Sequence, residues 1–189
     1  MKLGRVFSLV IVLATISLNV SAADTSVYLG AKAGSLDTNK SIYGNENGDV
    51  VGPKLIKYDN VSLAGVEFQL LSNLESNSIM WGFGSNIMFN DGSFLDGGTI
   101  DVDLKFGAHF KDISFYGLGG IGLHSLSEHT VATGTFYGAG LNYNIFKHLA
   151  AKIEYRKHDL KTRADDDEDP TDGQKYKLSG FLVGVSYRF

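Results

Sequence analysis

The sequence contains no cysteine and only two prolines among its 189 residues. Without cysteine the chain can form no disulfide and offers no thiolate to catalysis or to a metal. The scarcity of proline, combined with 23 glycines, favours long strands whose backbones pack closely. Basic residues are too few to balance the acidic ones. The resulting formal net charge of −4 argues against a nucleic-acid partner, which would require a basic surface.

Long apolar runs are also missing, with one exception at the N-terminus. A basic beginning precedes the apolar run 6–18, and small residues follow up to Ala22. This order is typical of a signal peptide, so we predict that residues 1–22 are cleaved and that residues 23–189 are exported as one domain. No later run is long enough for a transmembrane helix, and a closed β-barrel is the other structure that can cross a bilayer.

Apolar and polar residues alternate along most of the remaining chain. Alternation with a period of two places the two kinds of residue on opposite faces of a β-strand. Eight segments show it, and we predict strands at residues 26–35, 61–71, 78–90, 99–110, 113–125, 133–144, 149–161 and after residue 174. Residues 36–60, rich in Asn, Gly and Asp, are predicted to form a long loop.

The connections between these predicted strands alternate between short and long. Residues 72–77, 111–112 and 146–148 form short turns, and longer loops join the remaining pairs. An even number of strands, with short periplasmic turns and longer external loops, is typical of outer-membrane barrels. We therefore predict an all-β fold, an eight-stranded antiparallel up-and-down transmembrane β-barrel, with both ends of the chain on the periplasmic side.

The C-terminal residues 180–189 alternate in the same way and end on an aromatic side chain. This segment resembles the last strand of the small eight-stranded bacterial outer-membrane β-barrels, the family of the outer membrane protein A transmembrane domain and the OmpX and opacity-type barrels. Residues 28–34 resemble the first strand of that family. Its last strand is an assembly signal, so the resemblance implies recognition by periplasmic chaperones and the barrel-assembly machinery. The residues concerned are Phe181, Val183, Val185, Tyr187 and Phe189.

Charged residues fall on the inward faces of the predicted strands. An isolated buried ion is very costly, so charges of both signs in a narrow lumen are expected to pair, with Lys32 and Glu67 on adjacent strands. Two interpretations stay open: a polar gate in a narrow porin-like path, or a plug that merely fills the barrel. The predicted interior network comprises Lys32, Glu67, Asp101, Asp103, Lys105, Lys152, Glu154 and Arg156, with His109 and Arg188 also inward.

The family resemblance is incomplete at one interior position. Asn142 stands where outer membrane protein A carries an inward glutamate before a tyrosine. The ion-pair gate proposed for that family therefore cannot be transferred whole to this chain.

Charged residues near the predicted outer rim could bind ligands. The acidic run 165–169 offers carboxylates to divalent cations, but it lacks the spacing of an EF-hand, and a solvated loop is the alternative. Lys157, Lys161 and Arg163 could meet lipopolysaccharide phosphates. We expect outer-membrane lipid and lipopolysaccharide to surround the wall, and the loops to be available to host or neighbouring cell surfaces.

No complete catalytic constellation is recognisable in the sequence. Histidine, serine and glutamate occur together in residues 124–129, but neighbouring strand residues face opposite sides, so His124 and Ser125 should point apart. We expect no enzymatic activity, no metal site and no cofactor. The predicted role is structural or surface-exposed, with a narrow pore as the alternative and a lipid-modifying enzyme as a distant one.

Overall fold

The computed structural model describes residues 25–46, 49–73, 78–91, 97–125, 131–162 and 175–189. Eight strands pair in chain order, each antiparallel to the next, and the last closes the barrel against the first. They are β1 (Thr25–Glu46), β2 (Asp49–Asn73), β3 (Ile79–Asp91), β4 (Gly97–Phe110), β5 (Ile113–Ser125), β6 (Val131–Phe146), β7 (Leu149–Thr162) and β8 (Lys175–Arg188). The predicted fold class is confirmed. The predicted signal peptide, residues 1–22, lies outside the described residues.

The residues that the structure describes contain no helix that is long and apolar enough to cross a membrane.

The short turn between β4 and β5 is the one predicted at Lys111 and Asp112. Lys111 has φ of 54°, in the left-handed region. A two-residue hairpin turn requires a positive φ at its first position, because only then does the twist of the turn match that of the strands. The register of the two strands follows directly, with Phe110 opposite Ile113.

The predicted long loop at residues 36–60 is wrong. Most of this stretch continues β1 and β2, which stay paired until Glu46 lies opposite Asp49. Among the described residues β8 pairs with β1 only as far as Ser41. The paired residues beyond it, 42–46 of β1 and 49–54 of β2, are called here the β1–β2 ribbon. In a pair of antiparallel strands the backbone N–H and C=O groups that face the partner strand bond to it, and those on the outer edges can bond to water, so polar composition does not end a strand here.

The side chains that the structure describes alternate between the lumen and the outer surface in all eight strands, as predicted. Large apolar side chains cover the outside, and Leu104 and Phe106 are each 68 % exposed. The inward positions carry glycine, polar, charged and also apolar residues, most of them buried. The glycine-rich β5 follows the same rule, with Phe115 outward and Tyr116 inward.

The two ends of the barrel differ, and each carries an apolar cluster inside. The turn end holds the short turns at Lys111 and Lys147 and the ends of β1 and β8; the opposite, hairpin end holds the β1–β2 ribbon. The turn-end cluster contains Tyr28, Leu71, Met80, Tyr116, Leu118, Phe136 and Ala150. The hairpin-end cluster contains Leu36, Val61, Leu63, Met88, Ala132, Leu160, Tyr176, Leu178 and Leu182.

Candidate functional site

A network of charged side chains occupies the lumen between the two apolar clusters. It contains four cations and four carboxylates, so the set is formally neutral. Each of the eight residues is at most 5 % exposed. The members are the eight interior residues predicted above: Lys32 of β1, Glu67 of β2, Asp101, Asp103 and Lys105 of β4, and Lys152, Glu154 and Arg156 of β7.

Glu154 is the centre of this network. Its Oε1 accepts hydrogen bonds from Lys105 Nζ at 2.7 Å and from the Tyr116 hydroxyl at 2.9 Å. Its Oε2 accepts from Arg156 Nη2 at 2.7 Å and from Lys32 Nζ at 3.1 Å. Arg156 Nε also donates to Oε2 at 3.0 Å, so four donor residues satisfy the lone pairs of this carboxylate and stabilise its charge in the buried lumen.

Arg156 joins the carboxylates on the β4 side to Glu154. Its Nη1 lies 3.1 Å from Asp101 Oδ2, and its Nη2 lies 3.0 Å from Asp103 Oδ2. The guanidinium also lies 5.0 Å from the centre of the Phe136 ring, within the range of a cation–π contact. A planar group with several fixed donors can serve three carboxylates at once, which a lysine cannot do with the same geometry.

Glu67 holds the lysines on the other side of the lumen. Lys32 Nζ lies 3.2 Å from Glu67 Oε2, and Lys152 Nζ contacts both Glu67 and Gln69. The pairing register places Gly30 opposite Glu67, so Lys32 and Glu67 lie on adjacent strands, as expected from the sequence. Because Lys32 also reaches Glu154 of β7, the network crosses the lumen.

This arrangement leaves the lumen filled and its charges paired among themselves. A permeating ion would have to displace contacts that were formed at the cost of desolvating both partners. Two members of the turn-end cluster contact the network directly: Phe136 lies against Arg156, and the Tyr116 hydroxyl donates to Glu154.

The other predicted inward residues lie nearer the turn end. His109 Nδ1 is 2.9 Å from the Ser114 hydroxyl, and Arg188 Nε donates to Ser26 Oγ at 2.9 Å. Neither residue contacts the eight-residue network through any hydrogen bond or ion pair found in the described segments.

The predicted assembly-signal residues all face outward in β8 and at its end, and each is roughly half exposed or more. Phe181 contacts Tyr155 and Phe189 contacts Tyr187, with ring centres 5.1 and 5.0 Å apart. Their role as a signal stays a prediction. The members are Phe181, Val183, Val185, Tyr187 and Phe189.

Several other predicted features fall outside the described residues. The acidic run 165–169, Arg163 and residues 126–130 of the histidine–serine stretch belong to them. Of the rim cations, Lys161 is exposed and Lys157 lies 5.9 Å from the centre of the Tyr137 ring. His124 points into the lumen and Ser125 does not share its burial, so the two do not form a nucleophile–base pair.

One group of residues was missed by the sequence prediction. Asp101, His124 and His158 come together in the lumen, although no metal site was expected. All three lie at inward positions of the alternation, which is the signal that could have identified them. The alternation does not give the height of each residue in the barrel, and only the strand register brings the three side chains to one level.

The fold and its lumen define the class of this molecule: a transmembrane β-barrel with a lipid-facing outer surface and a paired polar interior. Residues 8–189 match the family "Outer membrane protein beta-barrel domain", and the chain belongs to this family. The predicted family and its location in the outer membrane are thereby confirmed. Among curated proteins none matches the chain.

Solved structures with a similar arrangement have low sequence identity to this chain. Ail, the attachment invasion locus protein of Yersinia pestis, shares 17 % identity over 86 % of this chain and 99 % of its own, with a TM-score of 0.45. Neisserial surface protein A shares 13 % over 88 % and 99 %, with a TM-score of 0.41. The outer membrane protease OmpT from Escherichia coli shares 11 % over 89 % and 99 %, with a TM-score of 0.45.

Proposed function

We propose that the protein is a closed structural barrel of the outer membrane that presents its hairpin end as a contact surface. The observation that carries this proposal is the neutral network of eight buried charged side chains in the lumen, which pair with one another. A porin needs a water-filled path, whereas the interior of an eight-stranded barrel is just wide enough for side chains to fill it or to hold one small ligand.

The cost of separating the ion pairs in the lumen favours a closed barrel over a pore. Every charged group of the network has an opposite charge within 3.2 Å. Separating any of these pairs leaves a buried charge without a partner, which is strongly unfavourable. A narrow gate needs a charged group that moves easily. Glu154 is instead held in place by hydrogen bonds from four residues.

The surface part of the proposal is supported by the asymmetry of the barrel. The β1–β2 ribbon extends beyond the last residue of β1 that pairs with β8 in the part of the chain that the structure describes. Connecting segments at such an end are where binding functions are usually found, because a rigid scaffold positions them. Lipopolysaccharide next to Lys161 and ligands on host or neighbouring cells are the partners that we propose for this end.

We also propose that the protein has no enzymatic activity and that assembly depends on its last strand. Within the described residues His124 lies in the lumen, 3.1 Å from the Thr99 hydroxyl, and no serine nucleophile accompanies it there. The outward aromatic and aliphatic residues of β8 would be accessible to the assembly machinery before the barrel closes against β1.

Conductance of the refolded protein in planar lipid bilayers tests the closed barrel. We expect no discrete current steps from the unmodified protein, and none from the Glu67→Ala variant, because Lys32 and the other side chains still fill the lumen. Asp159→Ala, which removes an exposed carboxylate on the outside of β7, is the matched control. A steady open current from the unmodified protein, or one that appears only with Glu67→Ala, would instead support a narrow or gated pore.

A further inference from the structure

Three potential metal ligands lie side by side in the lumen, at the edge of the ion network to which Asp101 belongs. They are Asp101 of β4, His124 of β5 and His158 of β7, and each is at most 1 % exposed. One ligand atom from each lies within 4.8 Å of the others. Nothing in the proposed closed barrel requires two histidines here, so the group calls for an explanation of its own.

The atoms that face one another in this group lack hydrogen-bond partners. Asp101 Oδ1, His124 Nε2 and both ring nitrogens of His158 have none among the residues that the structure describes. Buried polar atoms almost always have a partner, so four such atoms in one place indicate that something else binds there. The 3.6 Å between His124 Nε2 and Asp101 Oδ1 is too long for a hydrogen bond between them.

The same separation suits two ligands of one metal ion. Ligand atoms at 2.0–2.1 Å from a tetrahedral zinc ion are about 3.4 Å apart, close to the observed distance. His158 is packed against the Phe136 ring, with ring centres 4.8 Å apart, and meets His124 edge-on at 5.0 Å. The three ligand atoms lie within 4.8 Å of one another, against about 3.4 Å between zinc ligands, so the His158 ring has to move by up to roughly 1.4 Å to complete the site.

Neighbouring residues hold the first two ligands in the orientation that a metal requires. His124 Nδ1 lies 3.1 Å from the Thr99 hydroxyl, which in turn is 2.9 Å from the Asn90 amide nitrogen. When Nδ1 donates to Thr99, the lone pair of Nε2 is directed towards Asp101. The other oxygen of Asp101 accepts from Arg156 at 3.1 Å. Such outer contacts are usual around metal-binding histidines and carboxylates.

A glycine keeps the space between these ligands open. Gly122 lies opposite Asp101 in the pairing of β4 with β5. A Cβ atom added at Gly122 would contact Asp101 Oδ1 and lie 3.0 Å from His124 Nε2. Any larger residue at this position would therefore occupy the place between the two ligand atoms.

We propose that Asp101, His124 and His158 bind one divalent transition-metal ion inside the barrel, with water as the fourth ligand. Two imidazoles and a carboxylate favour zinc and its neighbours over magnesium or calcium, which prefer oxygen ligands only. The hairpin-end cluster covers the site on one side and the Arg156 network on the other. The ion is therefore taken up as the barrel folds and is retained afterwards.

The test is refolding of the untagged mature protein with equimolar Zn²⁺, followed by passage over a chelating resin and elemental analysis. We expect about one zinc per barrel in the unmodified protein and in His109→Gln, which removes an inward histidine of β4 outside the site. His124→Gln and His158→Gln should retain less than about one tenth as much. Heat-dependent electrophoretic mobility shows that each variant has folded.

Two further measurements keep the proposal testable if a histidine variant does not fold. Gly122→Ala should fold and lose the zinc, and Thr99→Val should weaken binding by about tenfold to a hundredfold. X-ray absorption of the zinc-loaded protein should show two imidazoles near 2.0 Å, about the distance usual for zinc. Zinc retained equally by the unmodified protein, His124→Gln and Gly122→Ala, or retained by none of them when folded, would overturn the proposal.

Discussion

The two faces of β4 lie in opposite environments, one in the lumen and one towards the membrane. Asp103 and Lys105 are buried in the lumen, while Leu104 between them is 68 % exposed on the outside. Consecutive residues thus lie in two different environments, the lumen with its ion pairs and the membrane. On the outer face, any apolar side chain of suitable size meets the requirement, because the hydrophobic effect has no direction.

The inner face requires particular partners at particular distances. Lys105 lies 3.0 Å from Asp103 and 2.7 Å from Glu154, and both carboxylates also contact Arg156. Each charge is tolerated in the lumen only because of the others. We therefore expect the barrel to be destabilised when a charged residue in the lumen loses its ion-pair partner, and when a charge is introduced on the outer surface.

Removing Glu154 should have the largest effect. The Glu154→Ala variant leaves Lys105, Lys32 and Arg156 with fewer acceptors in a place without water, so we expect the free energy of unfolding to fall by about 3–5 kcal/mol. Urea unfolding in lipid vesicles, followed by the fluorescence of the single tryptophan, Trp81, measures it. Asp159→Ala, on the exposed face of the same strand, should change stability by less than about 0.5 kcal/mol. Equal effects of the two variants would contradict the central position of Glu154.

Placing a charge on the outer face should have the next largest effect. Leu104 lies in the middle of β4, and Leu104→Arg should destabilise the barrel by about 2–4 kcal/mol in the same unfolding assay. Phe110→Arg, at the last residue of β4, is the matched control and should cost about 0–1 kcal/mol, because the membrane interface tolerates charge. If both cost the same, the membrane boundary does not lie where the exposed apolar residues place it.

The sequence alone predicts which face of each strand a residue occupies. The period-2 alternation places Lys32, Glu67 and Glu154 inward, and the structure shows all three in the lumen. Even the glycine-rich β5 has the expected faces. These predictions hold because lipid outside and a confined lumen inside impose the same alternation on every strand.

The sequence alone does not predict which inward residues meet across the lumen. Lys32 of β1 and Glu154 of β7 are 3.1 Å apart, although 122 positions separate them. Such contacts depend on the tilt and stagger of the strands, which alternation does not encode. For the same reason the sequence does not predict that Asp101, His124 and His158 lie together. The error at the β1–β2 ribbon is of another kind, because polar composition there predicts a loop although the two strands continue.

The smallest effect should be the coupling between two members of the network, Lys32 and Glu67. Their side chains are 3.2 Å apart, so removing the second partner should cost less once the first is gone. In a double-mutant cycle with Lys32→Met and Glu67→Gln we expect a coupling of about 0.5–3 kcal/mol in the unfolding free energy. A parallel cycle with Lys161→Met in place of Lys32→Met should be additive within about 0.5 kcal/mol, because Lys161 is exposed on the outside of β7. Additivity in both cycles would mean that Lys152 alone satisfies Glu67, and that the pairing of β1 with β2 does not depend on this contact.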